Sequence, residues 1–255
     1  MSAWSVESSP VLGRLRVDEK TNEITAIPEL LEFLCLKGCI VTIDAMGTQK
    51  AIAKKIIEKE ADYILQVKSN QPTLMEDIAL HFEKDVFPTK KEELRRDGRY
   101  HAGICGEHGR IEKRGYYVEN NIGWLRERHP EWEELSGIGA CVATVTEKGK
   151  TTTSVSYCIY SRQGMTAAEY GEKARAHWGI ENGLHWVLDI AFREDESRIR
   201  AGNAAENINV VRHMGVNLLK QENSCKMGIA SKRKKCGYDM DYLYKVLAGL
   251  DTGVK

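Results

Sequence analysis

Two acidic residues stand where a carboxylate can do chemistry. Asp44 ends Cys39-Ile40-Val41-Thr42-Ile43, an unbroken apolar and β-branched run that reads as a strand buried on both faces. Open α/β sheets present ligands at the carboxyl ends of their strands, so a carboxylate there is placed to hold a cation. The same residue could equally cap the helix that the pattern starts near Gln49. Glu181 lies in Arg175-Ala176-His177-Trp178-Gly179-Ile180-Glu181-Asn182-Gly183-Leu184-His185-Trp186, where four-residue spacing sets His177, Glu181 and His185 along one helix face. Three such groups in a row admit zinc, although no fourth ligand follows at suitable spacing. A polar stripe beside a core face of Trp178, Ile180, Leu184 and Leu188 explains the spacing as well. Basic candidates are Lys68, Arg110 and Arg114 in polar stretches, and the run Lys232-Arg233-Lys234-Lys235, which suits phosphate contacts or a solvated surface.

These residues need elements to position them. Ser2 to Val6 and the alternating Val11 to Val17, joined by Glu7-Ser8-Ser9-Pro10, read as a hairpin. Thr21 or Asn22 can cap a helix carrying Ile24, Ile27, Leu30, Leu31 and Leu34 at helical spacing, and Lys37-Gly38 stops it. After the strand ending at Asp44 come a helix from Gln49 to Glu60 and a strand over 63–67 ending in Lys68-Ser69-Asn70-Gln71. This alternation is the mark of crossovers in an α/β sheet. A helix over 73–83 leads into a polar stretch, Lys90 to His108; strands follow at 116–118, 139–145 and 154–161, and then helices over 166–189 and 201–221. A short apolar helix around Tyr242 to Leu250 closes the pattern.

Composition sets the class. The chain has 255 residues, 42% hydrophobic and 29% charged, with 37 basic residues balancing 37 acidic ones. Such a balance excludes collagen, low-complexity and charge-driven disordered chains. Net neutrality lends nucleic-acid binding no support, but a local basic surface remains compatible with it. No window approaches the ~20 apolar residues of a membrane-spanning helix, and no secretory leader is expected, which points to a cytoplasmic protein without a membrane partner. Seven cysteines without a Cys-x-x-Cys pair read as free thiols, mostly small buried hydrophobes.

Several separate motifs then occur in a telling order: Val41-Thr42-Ile43-Asp44-Ala45-Met46-Gly47, Lys68-Ser69-Asn70-Gln71, His108-Gly109-Arg110-Ile111-Glu112 and His177 through Asp189. Together they resemble the H-repeat-associated transposases, insertion-sequence enzymes of the acidic-triad (DDE) class with a ribonuclease H-like core. The likeness runs over essentially the whole chain, including Asp239-Met240-Asp241-Tyr242-Leu243. It implies an α/β fold: a ribonuclease H-like mixed sheet flanked by helices, with a β-rich insertion and a helical C-terminal part. It also implies two divalent ions, Mg²⁺ or Mn²⁺, held between three carboxylates for in-line displacement at phosphorus. By motif match Asp44 is the second acidic residue and Glu181 the third. Mg²⁺ prefers oxygen, so His177 and His185 would stand behind the ligands or face DNA. His177 occupies the place, four residues before the Glu, where related transposases often carry a phosphate-contacting Arg. Lys68, Arg110, Arg114, Lys232, Arg233, Lys234 and Lys235 are the other DNA contacts expected.

The front of the sequence departs from the family. There the first acidic residue sits on the first core strand in a motif like Asp-Gly-Lys, ahead of the hairpin; none occurs in this sequence, and Asp18, the one Asp before Asp44, matches the family's Val-Asp-Glu-Lys segment. The expectation is therefore a truncated copy that lacks the first core strand and is catalytically inactive by itself. Residues 1–71 are read as the first part of the core, 72–150 as the insertion, 151–221 as the rest of the core with the Glu-bearing helix, and 222–255 as a basic tail with a short helix. The implied function is metal-dependent cleavage and strand transfer of double-stranded DNA at insertion-sequence ends, as a homo-oligomer or with a full-length relative. Two alternatives stand beside it: a non-catalytic DNA-binding remnant that modulates a full-length transposase, and a zinc hydrolase built on His177, Glu181 and His185.

Overall fold

The computed structural model describes residues 2–4, 11–14, 23–107, 110–177, 179 and 181–249. In chain order the elements are β1 (Ser2–Trp4), β2 (Val11–Arg14), α1 (Glu23–Glu32), β3 (Ile40–Ile43), α2 (Lys50–Glu58), β4 (Asp62–Val67), α3 (Pro72–His81), α4 (Lys91–Arg96), β5 (Tyr100–Glu107), β6 (Arg110–Glu119), α5 (Gly123–Arg128), β7 (Gly137–Glu147), β8 (Lys150–Tyr160), α6 (Ala167–His177), α7 (Trp186–Phe192), α8 (Ala204–Gln221), α9 (Ile229–Cys236) and α10 (Met240–Leu247). They fall into two compact units, Glu23–Arg175 and a second formed by Met1–Asn22 with Ala176–Lys255.

The first unit is built on a mixed sheet of order β3-β4-β8-β7-β6-β5, with β3 and β4 parallel and every other pair antiparallel. The crossover from β3 to β4 runs through α2, whose Ile52, Ala53 and Ile56 form the buried stripe of an amphipathic helix. A mixed sheet flanked by helices is the architecture that the family resemblance implies. Burial of β3 on both faces is corrected. Among the described residues this strand ends the sheet, and all four of its residues are half-buried. The deep position belongs to β4, sandwiched between β3 and β8, where Tyr63, Ile64, Leu65 and Val67 are buried. An apolar β-branched run reports strand propensity but not which neighbours the strand acquires.

The polar stretch Lys90 to His108 is assigned no element by the sequence pattern. Its described part forms α4 and β5, because Leu94 is buried and Tyr100 packs on Tyr117 with ring centroids 4.8 Å apart. β7 and β8 pair over their full lengths, yet only one end of the ladder is core: Gly137–Cys141 and Tyr157–Tyr160 are buried, while the far end is mostly open. There Thr144 meets Thr153 at 3.3 Å and Thr146 meets Thr151 at 2.9 Å, cross-strand hydroxyl pairs that suit a wet surface. The core proper gathers Ile64, Tyr116, Val118, Cys141, Cys158, Tyr160, Met165, Ala167 and Tyr170. All seven cysteines are free, but the burial expected of most holds for Cys141 and Cys158 alone.

In the second unit β1 and β2 pair antiparallel, as the hairpin pattern predicts; the candidate caps Thr21 and Asn22 lie outside the described residues. Its helices close two apolar clusters, one of Leu184, Val187, Leu188, Ala191 and Val216, the other of Leu219, Tyr242 and Val246. The region predicted as helix over 166–189 is helical where it is described: α6 covers Ala167–His177, Gly179 is helical, and a π-helical turn over Glu181–His185 leads directly into α7. Among the described residues no helix is long and apolar enough to cross a membrane.

Candidate functional site

Asp44 follows β3 directly, in extended conformation (φ −69°, ψ 177°), and begins a 3-10 turn over Ala45–Gly47. Its Oδ1 accepts from the Gly47 N–H at 3.4 Å, and the side chain is exposed. It therefore caps the turn that precedes α2, while Gln49 occupies the N-cap position of α2 itself without a side-chain capping bond. So long a bond leaves the carboxylate chemically available, and capping and cation binding are compatible at this position.

The motif residues around Asp44 explain its fixed placement. A Cβ on Gly47 would stand 2.3 Å from Ile43 Cγ2 and 2.9 Å from Ile27 Cδ1, so no other residue lets the turn lie this close to β3 and α1. Thr48 is fully buried, and its hydroxyl donates to the Gln66 carbonyl of β4 at 2.6 Å. Since β3 and β4 run parallel, their following loops leave the same end of the sheet. The second loop grips the first: Asn70 Nδ2 donates to the Ala45 carbonyl at 2.6 Å and Gln71 Nε2 to the Thr48 carbonyl at 3.0 Å. The segment Lys68-Ser69-Asn70-Gln71 is thus a clamp on the Asp44 turn, and Lys68 itself is exposed at its start.

Glu181 opens the π-helical turn Glu181–His185. Its widened spacing ends the α-helical stripe that four-residue periodicity predicts for His177, Glu181 and His185. His177, half-buried, is the last residue of α6, while His185, exposed, closes the turn. Among the described residues no three His, Cys, Asp or Glu side chains gather as a group that could hold a metal ion. The turn is anchored by Leu184, fully buried against Leu188 and Val216, and by the Gly183 carbonyl, which accepts from Lys220 Nζ at 2.7 Å.

A family model described as the transposase DDE domain matches residues 2–218. The chain belongs to that family. It is 42% identical over 253 residues to "Putative transposase YncI" of Escherichia coli O157:H7, a match covering 97% of this chain and 63% of that protein. It is 39% identical over 255 residues to "H repeat-associated putative transposase YhhI" of Escherichia coli strain K12, covering 98% and 65%. The chain thus spans just under two thirds of the length of these curated relatives. The mixed α/β architecture agrees with the ribonuclease H-like fold of DDE transposases.

Contacts to phosphate need exposed cations, and the basic residues differ in how exposed they are. Lys68 is open to solvent. Arg110 begins β6, next to His108 and Gly109, which lie outside the described residues. Arg114 is half-buried and turned onto Glu112, with Nη2 and Nε at 2.7 and 3.0 Å from the same carboxylate oxygen, so its charge is largely matched within β6. Lys232 is corrected outright: it is 6% exposed and its ammonium donates to the backbone carbonyls of Leu219, at 3.0 Å, and Glu222. The lysine fastens α9 to the end of α8 and is withdrawn from any phosphate-facing surface. Arg233 is exposed, with its guanidinium 5.2 Å from the Phe192 ring centroid, and Lys234 is exposed as well. Lys235 lies 4.4 Å from the Tyr242 ring centroid and 3.6 Å from Asp239.

One polar cluster escaped the sequence reading. A cleft of about 820 Å³ in the first unit is lined by His81, Arg99, Glu119 and Trp124 among others. Burial acts to raise the Glu119 carboxyl. The His81 ring 3.8 Å away, the hydrogen bond from the Asn121 N–H and the Arg99 guanidinium outweigh it and hold Glu119 below the usual range. Beside them a buried Asp77 accepts from His129 at 2.9 Å and from Arg128 at 3.0 Å. These residues come from separate helices and strands, so no local motif announces them.

Proposed function

We propose that this chain is a DNA-transposing nucleotidyl transferase core in which Asp44 and Glu181 are the second and third metal-binding carboxylates. The observation that carries the reading is the Asp44 turn: an exposed carboxylate at the carboxyl end of a parallel strand, held by Gly47, Thr48, Asn70 and Gln71. Hard carboxylate oxygens suit Mg²⁺ or Mn²⁺, the ions of an intact family member, two of which are expected. When bound, such ions activate a water or 3′-hydroxyl and stabilise the leaving oxygen. The chain's own work is to hold the carboxylates still and to bring cations, Lys68, Arg233 and Lys234 foremost, to the phosphates of double-stranded insertion-sequence ends. Homo-oligomers or a full-length relative are the partners this role needs.

These 255 residues contain no Asp-Gly-Lys. We therefore propose that by themselves they bind DNA and metal but do not transfer strands, since ions held by two carboxylates are under-liganded. The second reading is a DNA-binding remnant that modulates a full-length transposase.

The test replaces Mg²⁺ by Fe²⁺ with ascorbate and peroxide, so that radicals cut the backbone beside the bound ion. Cuts near both 44–48 and 181–185, suppressed by excess Mg²⁺, are expected; cuts at one place alone, or at neither, overturn the assignment. Strand transfer of terminal-repeat DNA by the purified chain with Mg²⁺ would refute its inactivity. DNA binding unchanged in Asp44→Ala and Glu181→Ala, with no metal-directed cutting, would favour the remnant.

A further inference from the structure

We infer that Lys220 is a positioning residue for Glu181, an inference that rests on the metal-binding role proposed for that carboxylate. Lys220 stands in the last turn of α8, and its Nζ donates to the Gly183 carbonyl at 2.7 Å, two residues beyond Glu181 in the π-helical turn. A π-helical turn widens the helical ladder and loosens the hold of its carbonyls on the usual partners. A cation delivered to one of them fixes the turn from outside its own backbone.

The geometry is well determined from the α8 side. Val216, one helical turn before Lys220, is fully buried in the cluster that also contains Leu184. Leu219, directly before the lysine, is buried with Tyr242 and Val246. The stem of Lys220 therefore rises from a rigid stretch of helix. Consecutive residues of the turn are held by it in two different ways, Leu184 by apolar packing and Gly183 by a hydrogen bond. Glu181 sits at the entrance to this doubly held turn, so the placement of its backbone depends on both.

Burial depresses the Lys220 ammonium to about 8. The charge is thus held against a desolvation cost, which an apolar side chain of the same length would avoid. A carbonyl gripped by an ammonium has a defined orientation, so the Lys220 contact directs the turn.

The experiment follows Mn²⁺ binding by electron paramagnetic resonance of the free ion, at neutral pH, with circular dichroism to confirm the fold. Lys220→Met is expected to weaken Mn²⁺ binding about tenfold, the low end of what groups supporting metal ligands are worth. Lys220→Gln, with a shorter donor, should fall in between, and Lys220→Arg should restore most of the affinity. Where Lys220→Met fails to fold, the Gln and Arg pair still decides the matter. Unchanged Mn²⁺ affinity in Lys220→Met and Lys220→Gln, with Glu181→Ala weakened, overturns the positioning role and leaves the metal role of Glu181 intact. Unchanged affinity in Glu181→Ala removes the metal reading, and the role of Lys220 with it. Wild-type affinity in Lys220→Met beside a lowered melting temperature would show a merely structural lysine.

Discussion

The two turns that carry the candidate carboxylates are built on opposite plans. The Asp44 turn is held by neutral groups: a glycine that admits close approach, a buried threonine hydroxyl, and two amide side chains sent across from the next loop. The Glu181 turn includes among its contacts one buried leucine and one half-buried cation. The first plan distributes placement over several short neutral bonds, so no single loss should free the loop. The second brings a charge to the turn. Placement at the sheet end therefore comes from redundant neutral bonds, whereas placement on the π-helical turn also involves an ionisable group and responds to pH.

That contrast can be broken from either side. Leu184→Ala should have the largest effect, about 3 kcal/mol lost in urea unfolding, because truncating a fully buried leucine leaves a cavity. Gly47→Ala should cost ~2 kcal/mol, since the new Cβ must push Ile43 and Ile27 aside. Thr48→Val should cost ~1 kcal/mol by leaving the Gln66 carbonyl without its donor, and hydrogen exchange should show the Asp44 turn still closed. A fully opened turn in that variant would contradict the redundancy argument.

The smallest effect concerns pH in the second unit. Hydrogen bonds from Ser224 and from Tyr242 hold the Glu222 carboxyl at about 2, below its ordinary value near 4.5. A carboxyl depressed in the folded state adds stability above its unfolded pKa, and that addition fades as pH falls from about 4.5 toward 2. Acid titration of Glu222→Gln should accordingly show a shallower loss over this interval than wild type, read by circular dichroism.

Much of this was legible in the sequence, for identifiable reasons. The alternation from α1 through β4 shows because crossover helices and strands differ in hydrophobic period, and the first unit repeats it in the predicted order. The strand end at Asp44 was legible because it is a local event. The edge position of β3 was not, since sheet order depends on distant partners such as β8. The π-helical turn over Glu181–His185 was missed because Leu184 and Leu188 keep helical spacing across it. The Glu119 cluster was invisible because His81, Arg99 and Glu119 lie on α3, before β5 and at the end of β6.

The inward lysine at the start of the tail's basic run bears on how that run is surveyed. Replacing all four cations together would remove the tie between α9 and α8, and the resulting loss of DNA retention would report a melted tail. Informative scans leave position 232 alone, reverse Arg233 and Lys234 singly, and compare each with a salt titration.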